Sequence, residues 1–250
     1  MVIDSSRRDT ADTVASSITI ILHSTSLSLV YCLYPYDYLD TLVVAMSENI
    51  NELVNGVIST KRLDGAETFK KAEGSPLAAA DILDYRSWAY SDIVGNTNRG
   101  ALAEFIVARA IGSEAAVRND WAAYDLETPS GIKVEVKSSA YLQSWHQTTV
   151  STPSFSIREA REWPPETNEF SKERLRHSDV YVFCLLAYRG EKRLLDPLDL
   201  SQWEFYVVKT SEIDWMFGER TSISINQVKT LSQAYSVNGL MDAVEATFSA

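Results

Sequence analysis

Two acids and a lysine are spaced so that they can meet: Asp125, then Glu135 and Lys137 ten and twelve positions later. Asp125 ends the apolar run Trp121-Ala122-Ala123-Tyr124, and Thr128-Pro129-Ser130-Gly131 supplies a turn, because proline fixes φ and glycine accepts positive φ. A strand pattern follows at Ile132-Lys133-Val134-Glu135-Val136-Lys137. Residues two apart in a strand share a face, so Glu135 and Lys137 point one way and Ile132, Val134 and Val136 the other. If the two runs pair as a hairpin, Asp125 comes close to Glu135. Two carboxylates and an ammonium then converge at a strand end. Hard oxygen ligands of this kind suit Mg²⁺, which is usually held by one or two carboxylates together with substrate phosphate oxygens. A lysine beside them can orient a water and stabilise developing negative charge.

The preceding segment, Asn98-Arg99-Gly100-Ala101-Leu102-Ala103-Glu104-Phe105-Ile106-Val107-Ala108-Arg109-Ala110-Ile111-Gly112, has apolar residues at helical spacing and a glycine stop. Glu104 lies on a partly apolar face of that helix, where a half-buried carboxylate needs a partner. A helix carrying a glutamate, then Asp125, a turn and Glu135-x-Lys137, resembles the core of the PD-(D/E)XK, or restriction-endonuclease-like, nuclease superfamily. The resemblance covers residues 97–210 and departs from the superfamily pattern at Tyr124, where the pattern has proline. It implies an α/β fold with a restriction-endonuclease-like mixed β-sheet core flanked by helices. It implies a Mg²⁺ ion, with Mn²⁺ able to substitute, held by Asp125, Glu135 and the Val136 carbonyl. Lys137 would position or activate the attacking water, and Glu104 would tune the site through a second metal or a bound water. Some members carry a glutamine on a helix after the lysine, for which Gln143 is the candidate here. The implied reaction is Mg²⁺-dependent hydrolysis of DNA, of restriction, defence or repair type. A homodimer would let one site per chain cut both strands.

Apolar content of 45% and charged content of 23% are those of an ordinary globular protein, and 250 residues can bury one good core. The net charge of -11 argues against a generic nucleic-acid binder, since phosphate contacts need lysine and arginine. The acid excess lies outside the candidate site. Residues 97–193 hold 13 Lys/Arg and 13 Asp/Glu, against 7 and 13 in residues 1–96 and 3 and 8 in residues 194–250. Two cysteines, Cys32 and Cys184, make no disulfide framework; Cys184 sits in an apolar run, and both fit a reducing cytoplasm.

Residues 15–45 are apolar but interrupted by hydroxyls and His23, which makes a poor signal peptide and a poor membrane span. The expected division is an N-terminal extension over 1–45, with natural translation starting at Met46 as one reading of it, and a single nuclease-like domain over 46–250. Helices are expected over 47–59 and 77–90. Residues 148–177 read as a long polar loop with a short strand near Phe155-Ser156-Ile157. The run from 180 to 188 reads as a strand buried on both faces, with another strand at Trp203-Glu204-Phe205-Tyr206-Val207-Val208 and three short helices over 211–216, 225–234 and 240–247.

Each candidate has a plainer reading. Glu135 and Lys137 make an exposed pair on many half-buried strands, Asp125 is a common turn residue, and Ser138 and Ser139 serve equally to bond a phosphate or to end the strand. His146 and His177 show no metal-ligand spacing. Arg158, Arg161, Lys172, Arg174 and Arg176 alternate with glutamates, which reads as a solvated face, with a phosphate clamp as the functional alternative. The rival function is a non-catalytic module of the same fold, acting as a binding or assembly subunit of a defence or repair complex, with the low pI favouring a protein partner. A third is hydrolysis of RNA by the same chemistry, for which no aromatic ribonucleoprotein motif is present.

Overall fold

The computed structural model describes residues 51–54, 57–113, 117–164 and 167–250. The expectations for residues 1–45, for a start at Met46 and for Cys32 lie outside them. In place of the helix expected over 47–59, the described residues there form two antiparallel strands, β1 (Asn51–Val54) and β2 (Val57–Thr60), with Val54 opposite Val57. Asn55 and Gly56 join them in sequence. Asn-Gly between β-branched residues is a strong two-residue hairpin signal, and it outweighs the helical spacing of the apolar positions. Next, β3 (Thr68–Lys70) pairs antiparallel with β4 (Pro76–Asp81). The helix expected over 77–90 therefore starts later, as α1 (Ile82–Tyr90). Asp81 sets that start through a capping box: its side chain accepts from the Asp84 N–H at 2.8 Å, and Asp84 accepts from the Asp81 N–H at 3.2 Å.

The 15-residue helix α2 (Asn96–Ala110) follows the apolar spacing closely and buries Ala103, Ile106 and Val107. Beyond it lie β5 (Leu126–Glu127), β6 (Lys133–Ala140), β7 (Ser154–Ser156), β8 (Val180–Leu186) and β9 (Trp203–Lys209). The chain ends with α3 (Thr210–Phe217), β10 (Ser222–Ser224), α4 (Ile225–Leu231) and α5 (Leu240–Ser249). The fold is mixed α/β. Its main sheet has the order β5-β6-β8-β9, with β6 and β8 parallel and the other two pairs antiparallel.

All seven residues of β8 are buried, as a strand covered on both faces requires. Val180, Val182, Cys184 and Leu186 join Val134, Val136 and Ala140 of β6 in a core closed by α2 and α5. Tyr181, Phe183 and Leu185 face the other way, into a core with Phe155, Tyr206, Ile213, Ile223 and Val228, closed by the β7–β10 pair, α3 and α4. The alternation along β6 puts Glu135 and Lys137 on this second face, opposite Tyr181 and Phe183 in register.

The segment 148–177 contains β7 and an isolated bridge between Ala160 and Leu175. Of its five cations, Arg158, Arg161, Lys172 and Arg174 are exposed, as a solvated face requires, but Arg176 is not. Its side chain is 1% exposed and donates to the carbonyls of Ile157, Gly218 and Arg220 at 2.8, 2.7 and 3.2 Å while pairing with Asp214. Five donors in a planar fork suit it to several carbonyls at once, so it ties the loop to α3 and the following turn.

Phe183 is fully buried, with ring centres 5.0 Å from Phe155 and 5.6 Å from Tyr181. Phe183→Ala is expected to cost about 3–5 kcal/mol of unfolding free energy in a urea titration, whereas the same change at the exposed Trp88 should stay within about 0.5 kcal/mol. Equal costs at the two positions would show that β8 is not the wall shared by the two cores.

Candidate active site

The site forms where β5 stops. β5 pairs with β6 only at Leu126–Val134 and Glu127–Lys133, so the outer edge of β6 is left open from Glu135 onward. Asp125, one residue before β5, takes over there: its Oδ2 accepts from the Val136 N–H at 2.7 Å. In a strand the N–H and C=O of one residue point to the same side. The Val136 carbonyl therefore points to the same open edge as Asp125.

The three side chains singled out in the sequence meet at that edge. Lys137 Nζ donates to Glu135 Oε1 and lies 3.9 Å from Asp125 Oδ2. The three side chains are 19–28% exposed, enough to be reached from solvent and buried enough for charges to interact strongly. Asp125 Oδ1 and Glu135 Oε2 receive no hydrogen bond among the described residues. Burial, and then the charge of Glu135, push the Asp125 carboxyl up to about 6, against the opposing pull of Lys137 and the Val136 N–H. Burial alone would lower the Lys137 ammonium, but Glu135 and Asp125 outweigh it and raise its pKa above the ordinary lysine value. On the facing strand, burial and the Glu135 charge raise the Tyr181 phenol, so it stays neutral.

Glu104 reaches the same neighbourhood from α2, close enough for its charge to act on both Asp125 and Lys137. Its carboxylate is clasped by Arg118, which donates to Oε1 at 2.9 Å and also to Oε2, and which pairs in turn with Asp120. Arg118 thus holds the position through which Glu104 would ligate a metal. Among the described residues no three His, Cys, Asp or Glu side chains are grouped as a metal-binding set. The oxygen donors at the edge are two carboxylates and one backbone carbonyl. That is a sparse set, and it fits Mg²⁺, which keeps waters and substrate phosphate oxygens in its shell. It also fits electrostatically: burial first, and the Glu135 charge second, raise the Asp125 carboxyl against the pull of the one lysine, and a cation would relieve both.

Gln143 lies in a turn after β6 and not on a helix. It is buried, donates to the Ala140 carbonyl at 2.9 Å and accepts from Arg99 Nη1 at 3.4 Å. Gln147 anchors the same turn by accepting from the Gln143 N–H at 2.6 Å and donating to the Tyr141 carbonyl and Ser151 Oγ. Ser138 accepts from Arg99 Nε at 3.3 Å. His146 is exposed, and His177 Nε2 lies 3.0 Å from the Ala160 carbonyl, away from the carboxylates. Arg99 and Arg118 carry no spacing signal toward the site, since the partners that tie them to it, Ser138 and Gln143 for Arg99 and Glu104 for Arg118, lie 14 to 44 positions away.

A family model for bacteriophage T4 endonuclease IV matches residues 83–226, more than half of the chain. The chain belongs to that family, a nuclease family. The matched span contains Arg99, Glu104, Arg118, Asp125, Glu135, Lys137 and Gln143, and runs from α1 through the first residues of α4. No curated protein matches the chain.

The Asp125 pKa makes the metal-free fold sensitive to pH. Its carboxyl is raised from 3.8 to about 6, so the folded state resists the charged form. Stability contributed by the protonated acid is present below pH 3.8 and is lost as pH rises through about 6. Asp125→Asn keeps an acceptor for the Val136 N–H without the charge. In chelator it should unfold with about 1–3 kcal/mol more free energy than wild type above pH 7, the difference closing below pH 4. A variant less stable than wild type at pH 8 would show that Asp125 is not held against its charge.

Proposed function

We propose that this chain is a metal-dependent endonuclease that hydrolyses phosphodiester bonds in DNA, with Asp125, Glu135 and Lys137 at the centre of a PD-(D/E)XK-type site. The observation that carries this reading is the meeting of two carboxylates and a lysine at the open edge of β6, in a chain of an endonuclease family. The mixed sheet with α2 packed on one face and the site at a strand edge supports the restriction-endonuclease-like assignment.

The side chains divide the work by their charge. Asp125, Glu135 and the Val136 carbonyl are the oxygen donors that would hold Mg²⁺, and Mn²⁺ in its place. When bound, the ion supplies positive charge to the scissile phosphate and makes an attacking water more acidic. Glu135 and Asp125 hold the Lys137 pKa up against the burial that would lower it, so Lys137 stays an ammonium at neutral pH and acts as a donor. Its bond to Glu135 holds Nζ at the edge of the sheet, where it can orient a water and stabilise negative charge on a phosphate oxygen. Glu104 and Arg118 act as an outer pair: the Glu104 charge helps to keep Lys137 protonated, and Arg118 keeps Glu104 in place. Asp125 offers a charged carboxylate only above about pH 6, so cleavage and metal affinity should both fall as pH drops through that value.

The test is incubation of the full chain with single-stranded DNA, plasmid and linear duplex, with Mg²⁺, with Mn²⁺ and with chelator. Wild type should cut only with metal. Lys137→Ala should lose cleavage by a factor of at least about 100 while its metal affinity by calorimetry holds, because the ammonium acts on water and phosphate. Glu135→Gln should lose both, because it removes a charged ligand. Wild type inert toward every DNA form would favour a non-catalytic module, and cleavage by Lys137→Ala at the wild-type rate would place the site elsewhere.

A further inference from the structure

Arg99 is the odd charge of this fold. It projects from the first turn of α2, is 3% exposed, and has no carboxylate partner among the described residues. Its partners are neutral oxygens: Ser138 Oγ at 3.3 Å, the Val94 carbonyl at 3.0 Å, Gln143 Oε1 at 3.4 Å and Asn96 Oδ1 at 2.8 Å. Every other buried or half-buried charge described above sits against an opposite one. A buried guanidinium without a counter-charge is costly, and burial draws its pKa below the ordinary arginine value.

The space in front of Arg99 is what makes this arrangement informative. A cavity of about 310 Å³ opens there, lined by Asn96, Arg99, Ser138, Gln143, Thr152 and Ser154 among others, with no acid in its wall. α2 begins at this wall. Its N-cap is Gly95, which has no side chain to cap the first-turn N–H groups; the Asp92 carboxylate accepts from the Gly95 N–H at 3.1 Å but does not line the cavity, so the first-turn N–H groups remain as donors beside the arginine. Hydroxyls, amides, helix N–H groups and a pre-positioned guanidinium are the donors that a tetrahedral oxyanion takes. The cavity adjoins the site along β6: Ser139, which also lines it, lies two residues beyond Lys137 on the same face of the strand, roughly 6–7 Å further along.

We infer that this cavity binds a phosphate of the nucleic-acid strand next to the phosphate that is cut, with Arg99 as its counter-charge and Asn96, Ser138 and Gln143 holding the guanidinium in place. Arg99 positions the strand over the carboxylates and takes no part in bond breaking. The strand as the source of the phosphate rests on the nuclease reading above; the anion site does not.

The test uses the full chain in chelator, so that binding is read without cleavage. The probes are inorganic phosphate, followed by melting temperature, and a labelled single-stranded oligodeoxynucleotide, followed by anisotropy over a range of salt. Wild type should melt higher as phosphate is added. Asn96→Asp places a counter-charge on the atom that already accepts from Arg99, at a helix start where an acid is favourable. It should melt higher than wild type without phosphate, lose the response to phosphate, weaken the oligonucleotide at least about tenfold and lower the salt slope by about one. Arg99→Met should lose the same two responses, and Asn96→Asp carries the test if that variant does not fold. A wild-type chain that behaves in this way but never cuts DNA with metal would sink the nuclease reading and leave the anion site standing. If Asn96→Asp keeps the wild-type phosphate response and oligonucleotide affinity, the inference is overturned and Arg99 is only a strut between the start of α2 and the turn after β6. Loss of the phosphate response with unchanged oligonucleotide affinity would overturn the strand phosphate as the occupant.

Discussion

The hydrogen bond from the Val136 N–H to Asp125 is the contact around which the site is arranged. β6 needs a partner along its outer edge, and β5 supplies one for only two residues. A carboxylate in place of the next strand residue satisfies the backbone and leaves the edge open to solvent. The exchange also brings a negative charge against Glu135 in partly buried surroundings, where repulsion is weakly screened. Lys137 relieves part of it, and burial together with the remaining repulsion raises the Asp125 pKa. One structural shortcut at a strand edge thus creates both the access and the electrostatic demand of the site.

That demand is sustained by the rest of the fold. β8, buried on both faces, fixes β6 from its inner side through a seven-residue parallel register. α2 packs on one face of β6 through Ala103, Ile106 and Val107 and brings Glu104 towards the carboxylates and Arg99 under the far end of the strand. The two helical residues differ in how their charge is answered: Glu104 is clasped by Arg118, while Arg99 meets only neutral oxygens. The strand edge therefore runs from a negatively charged end at Asp125 and Glu135 to a positively charged end at Arg99. A phosphodiester chain laid along it would meet oxygen donors suited to a cation first and an anion cradle next.

The acidity of the chain as a whole is no obstacle to this arrangement. Residues 97–193 balance 13 cations against 13 anions, and the surplus acids belong to the two ends of the sequence. Local placement decides what a nucleic acid meets, since screening limits exposed charges to about 8–10 Å.

Several features were determined by sequence alone because they depend on local periodicity. Alternation put Val134 and Val136 on one face of β6 and Glu135 and Lys137 on the other, and an unbroken apolar run made β8 a strand covered on both sides. Helical spacing with a glycine stop placed α2 and Glu104. The two-residue Asn-Gly turn signal in the sequence outweighed the helical pattern expected over 47–59, and the described residues on either side of it pair as antiparallel strands. Tertiary structure alone decided which charges are answered. Arg99 reaches Gln143 across 44 positions, Glu104 reaches Arg118 across 14, and Arg176, in a segment that alternates like a solvated face, is buried against three carbonyls. The cost of a charge depends on its burial and on the groups around it, and those are set by how distant segments pack, which no spacing along the chain encodes.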